Sequence, residues 1–67
     1  MSNEQLESKV DFITAKIPLE ENVIYDGKEY LPIAMIKKYT KEGWLYSVRL
    51  KDLKSNSIIE ARVVDCE

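Results

Sequence analysis

Asp26-Gly27, set between Ile24-Tyr25 and Lys28-Glu29-Tyr30, constrains this chain more than any other feature. A favoured two-residue hairpin turn needs positive φ at both central positions, and an Asp-Gly pair accepts that. Two more turn signals follow. Gly43 ends Thr40-Lys41-Glu42-Gly43, and Asn56 sits inside Lys54-Ser55-Asn56-Ser57; each can supply a left-handed residue. Between these turns apolar and polar residues alternate, which is the period of a half-buried strand. The pattern predicts strands at about 22–25, 28–39, 44–53 and 58–65, joined as an antiparallel meander.

The turns also predict a register. The first sets Tyr25 against Lys28 and Ile24 against Glu29. The second pairs Tyr39 with Trp44, Met35 with Val48 and Ile33 with Leu50. The third pairs Leu53 with Ile58, hence Leu50 with Ala61 and Val48 with Val63, and brings Lys51 across from Glu60. One face then carries Leu31, Ile33, Met35, Tyr39, Trp44 and Tyr46, together with Val48, Leu50, Ile59, Ala61 and Val63. The other carries Lys38, Ser47, Arg49, Lys51, Glu60 and Arg62, because side chains point alternately up and down. Val23, Tyr25, Tyr30, Ala34 and Ile36 form an apolar spill at the first-hairpin end of that polar face.

An apolar sheet face needs a cover. Leu6, Val10, Ile13 and Ile17 recur at helical spacing and supply one, predicting a helix over about 3–16. A strand over 11–17, which Phe12, Ile13 and Thr14 suit, is the competing reading. Ser2 and Gln5 make a capping-box pattern with Glu4 in the first turn, and Pro18 is expected to stop the helix by Ile17. The fold expected is α+β, a helix on a strongly twisted four-stranded meander, with a small SH3-like β-barrel as the alternative. Sixty-seven residues allow one domain, 1–67, with a thin core, since so short a chain buries only about 60% of its unfolded surface.

Composition removes most chemistry. There is no His, so the usual neutral-pH base and imidazole metal ligand are missing. Gly27 and Gly43 have turn duties and make no phosphate-cradling loop. The single Cys66 lies between Asp65 and Glu67, in a setting expected to be frayed and acidic, where carboxylates make the thiol a poor nucleophile. Glu20, Glu21, Asp26 and Glu29 read as solvated loop acids. No catalysis, cofactor or metal is expected. The start of the chain lacks the order of a signal peptide, and no apolar run is long enough to span a membrane, so the expected location is cytoplasmic.

A non-catalytic protein-binding or regulatory module is the reading that remains. Its expected contact residues are the spill residues Val23, Tyr25, Tyr30 and Ile36 and the basic residues Arg49, Lys51 and Arg62. Pairing of the 58–65 edge strand with a second copy is a further expectation. The alternative is a single-stranded nucleic-acid module in which Tyr39, Trp44 and Tyr46 stack bases beside Lys37 and Lys38. Its weakness is the net charge of −2, which withholds long-range attraction for phosphates.

Overall fold

The computed structural model describes residues 3–67, with Asn3 described by its backbone alone. The Ser2 half of the capping box lies outside those residues. A helix α1 (Asn3–Leu19) precedes four strands, β1 (Val23–Tyr25), β2 (Lys28–Thr40), β3 (Gly43–Lys51) and β4 (Ile58–Arg62), and a 3-10 turn over Val63–Asp65. The strands lie in the order β1-β2-β3-β4, every pair antiparallel, and the sheet curls into a half-barrel with α1 against β2 and the 3-10 turn. This is the α+β meander that the turn signals and helical stripe predict.

The stripe forms as expected: Val10 and Ile13 are buried, and Leu6 packs on the core they share with the sheet. The helix does not stop before Pro18 but continues to Leu19. A proline in the last turn removes one backbone donor, and the helix end is closed by other means. The Glu20 N–H donates to the Ile17 carbonyl and the Glu21 N–H to the Lys16 carbonyl, both at 3.2 Å. Glu20 adopts φ 54° to allow it, a left-handed helix ending usually given to glycine. Lys16 holds the exit through an ion pair to Glu21 at 3.5 Å.

All three turn signals are realised, with positive φ at Asp26, Gly27, Gly43 and Asn56. Tyr25 pairs with Lys28 and Ile24 with Glu29, and Tyr39 pairs with Trp44 and Met35 with Val48, all as predicted. Two parts of the register differ. The partner of Leu50 on β2 is Pro32, not Ile33, because β2 slips by one residue between Pro32 and Ala34. On the other side Leu50 pairs with Ile59 and Val48 with Ala61, so Glu60 faces Arg49 and not Lys51. The second change is a slip of two residues, which keeps every side chain on its predicted face. Its cause is the third turn. Asp52 leaves the strand, its N–H donating to the Ser57 carbonyl at 2.8 Å, so β3 ends at Lys51 and not at 53.

The slip at Ile33 reverses the alternation. Below it, Pro32 turns inward and is fully buried, while Ile33 is exposed and Leu31 sits beside Lys51 on the outer side. Val23 follows Tyr30, its partner across the first hairpin, into the core at 1% exposure. The core is therefore Val10, Ile13, Val23, Val48, Leu50, Ala61, Val63 and Cys66.

Cys66 corrects the last sequence expectation. It is not frayed but fully buried. The strand expected over 58–65 gives way at Val63 to the 3-10 turn, which redirects the chain so that Cys66 bridges Tyr25. Ile24 and Glu67 then exchange both backbone hydrogen bonds, at 2.8 and 2.7 Å. The outer edge of β1 is thereby covered.

Candidate functional site

Three cross-strand rows build the outer face of the sheet, away from α1. Leu31, Lys51 and Ile58 form the first, Ala34, Arg49 and Glu60 the second, and Ile36, Ser47 and Arg62 the third. Lys38 lies beyond them, opposite Leu45. Arg49, Glu60 and Arg62 are exposed, and so is Ile58. The face thus carries the cations Lys38, Arg49, Lys51 and Arg62 against the acids Glu60 and Glu29, the latter lying two residues before Leu31 in the same phase. Among the described residues, no ion pair within 4.0 Å engages any of these charges, including the facing Arg49 and Glu60.

Of the predicted contact residues, the fold brings Ile36, Arg49, Lys51 and Arg62 together on this face. It does not bring the remaining three. Val23 is core, and Tyr25 and Tyr30 are half-buried against the core, with their rings edge-on at 6.1 Å. The bulge at Ile33 is the reason: residues 28–32 read the alternation in the opposite phase from residues 34–40. Leu31 and Ile58 join the outer face instead. The free edge of β4 shrinks to five residues before the 3-10 turn, whose Val64 carbonyl accepts a hydrogen bond from Lys9 Nζ at 3.1 Å.

The predicted stacking set is divided. Tyr39, Trp44 and Tyr46 share the helix side of the sheet, but only Tyr46 packs on the core. Tyr39 is 74% and Trp44 58% exposed, in an edge-to-face pair with centroids 5.3 Å apart. The hairpin carries them to the margin of the helix's cover, so they stabilise one another across the strands and not through the core. Lys37 lies on their side, its Nζ 6.0 Å from the Tyr46 ring centroid, while Lys38 points to the opposite face. Alternation thus separates the two lysines, and no single basic track runs beside the aromatics.

No protein-family model, curated protein or solved structure matches the chain. Function must be read from these surfaces. Among the described residues, no helix is long and apolar enough to cross a membrane.

Three titrating groups stand out from their ordinary values, among them Lys28, raised by its hydrogen bond to Asp52. Burial pushes the Cys66 thiol up, with Lys9 opposing the shift and Asp65 adding to it, and its Sγ lies 3.5 Å from the Arg62 carbonyl. The raised pKa agrees in direction with the acidic-neighbour expectation, but its leading cause is the core around it. Asp52, which the sequence reading left inside a strand, ties the third turn to the first. Its carboxylate accepts from Lys28 Nζ and, at 2.9 Å, from the Lys54 N–H, which together hold its pKa down to about 2. A depressed carboxylate stabilises the fold above its unfolded value and loses that contribution as pH falls through the folded value. Unfolding measured across the acid range is therefore expected to show a stability decline from about pH 4 down to about pH 2. In Asp52→Asn the same titration should be shallower in that window.

Proposed function

We propose that the protein is a non-catalytic, cytoplasmic protein-binding module whose outer sheet face docks on an acidic surface of a partner protein. The observation that carries this reading is the outer face on which four cations outnumber two acids, Glu29 and Glu60, interleaved with Leu31, Ile36 and Ile58. Basic groups free of internal ion pairs steer an acidic partner and set its register, while neighbouring apolar side chains contribute the burial. The chain as a whole is mildly acidic, which suits a directed patch better than general attraction to polyanions. The pairing of Ile24 with Glu67 covers the edge of β1 and supports an SH3-like reading of the half-barrel scaffold. A small accessory protein of a bacterium, phage or mobile element is the setting this reading suits.

The test compares the wild type with Arg49→Glu/Arg62→Glu as immobilised baits in extract of the native cell, with bound proteins identified by mass spectrometry. Both substitutions are at exposed positions, and matching thermal melts will show that the variant folds. The expected result is an acidic protein retained by the wild type at low salt and released by charge reversal or by raised salt. Identical binding profiles for the two baits would remove the outer face from consideration. Retention of nucleic acid in place of protein would reject the reading as a whole.

A further inference from the structure

On the opposite side of the sheet, the start of α1 and the β2–β3 turn enclose a hollow of about 250 Å³ lined by Leu6, Glu7, Glu42, Gly43, Trp44 and Tyr46. It is independent of the outer face, since alternation along β3 sends Trp44 and Tyr46 away from Arg49. Two aromatic residues and two glutamates line it, and none of its lining residues is cationic. Aromatic faces attract cations through their quadrupole, and carboxylates attract them by charge, so both kinds of wall select the same ligand.

The wall is held in place. Thr40 Oγ1 accepts the Glu42 N–H at 3.2 Å and donates to the Gly43 carbonyl at 2.7 Å, which fixes the turn bearing Glu42. Tyr39 packs edge-on to Trp44 from outside. Lys41, the other turn residue, is exposed and is not part of the lining. The chain's own Lys37 lies on this side of the sheet, its Nζ 6.0 Å from the Tyr46 ring centroid.

We infer that this hollow is a second binding site, which takes the guanidinium or ammonium group of a basic peptide segment against Trp44, between Glu7 and Glu42. The same carboxylates oppose a phosphate backbone, so exposure of Trp44 and Tyr39 does not by itself make a nucleic-acid platform. A monovalent contact of this kind is weak, and a segment with two basic side chains is expected to gain from staying close after the first engages.

Trp44 is the only tryptophan, so its fluorescence reports on the site directly. The full chain is titrated with the peptide acetyl-Gly-Arg-Gly-Arg-Gly-amide, with its citrulline counterpart of the same shape and no charge, and with oligothymidylate. The expected result is a saturable change with the arginine peptide alone, weakened about fivefold in Glu7→Gln/Glu42→Gln. Both glutamates are exposed, and an unchanged circular-dichroism spectrum will show that the variant is folded. Arg49→Glu should leave the titration unaltered, which keeps the result separate from the outer-face reading. The inference is overturned by an absent response, by equal responses to arginine and citrulline, by full retention in the double variant, or by a stronger response to oligothymidylate.

Discussion

Leu50→Ala is expected to destabilise the fold by about 2–5 kcal/mol, whereas Arg49→Ala, one residue away, should change stability by less than about 0.5 kcal/mol. Leu50 is fully buried near the end of β3, flanked by Pro32 on one side and Ile59 on the other. Truncation there removes transfer free energy and leaves a cavity between sheet and helix that neighbours held on three sides cannot refill. A domain of this size holds only about 3–5 kcal/mol in all, so much of the Leu50→Ala population should be unfolded at room temperature. Arg49 points outward without an ion pair, and its loss leaves the core untouched. Paired urea melts decide the matter. Similar midpoints for the two variants would contradict the inward and outward assignment of β3.

A variant ending at Asp65 is the second large effect. It removes the fully buried Cys66 side chain and both backbone hydrogen bonds between Ile24 and Glu67. Val23, Tyr25 and Val63 lose a covering neighbour, and the Ile24 N–H and carbonyl are returned to solvent. Loss of the buried side chain and the two hydrogen bonds together should cost about 2–4 kcal/mol. Two point variants separate the contributions. Cys66→Ala removes the sulfur and keeps the pairing. Glu67→Pro keeps the buried thiol and removes the N–H that donates to Ile24. Amide exchange at Ile24 should quicken in the shortened chain, which loses the Glu67 carbonyl that accepts the Ile24 N–H. Exchange at Ile24 that stays slow in the shortened chain would show that the closure is not what protects β1.

The elements were legible in the sequence because local chemistry specifies them. Asp26-Gly27 and Asn56 name their turns by backbone preference, and the Leu6/Val10/Ile13/Ile17 stripe names its helix by spacing. The slip of β4 by two residues escaped detection, because it depends on Asp52 capturing the Lys54 N–H and the Ser57 carbonyl, yet it leaves the face assignment intact. The slip of one residue at Ile33 was more consequential. Pro32 and Ile33 are both apolar, so alternation alone gives no hint of where the phase reverses. That single reversal moved Val23 from the expected contact surface into the core and brought Leu31 out. The basic part of the outer face, Arg49, Lys51 and Arg62, was readable since it lies on β3 and β4, where the alternation is unbroken. The hollow beside Trp44 was not readable, because it needs Glu7 from the helix and Glu42 from the turn to meet, and no local pattern encodes that.

The pairing of Ile24 with Glu67 also bears on how the chain is made. Strands β1, β2 and β3 can begin to associate through neighbouring turns, each closing a short loop. The core between them, however, stays open on the side of Val23 until residues 66 and 67 have emerged from the ribosome. Helix α1 is made before the residues that close the core, so Val10 and Ile13 wait for residues 66 and 67 before their cover is complete. Folding of this protein is therefore an event that follows synthesis of Glu67, and a nascent chain stalled earlier will expose Val10, Ile13 and Val23 to whatever chaperone or protease attends it.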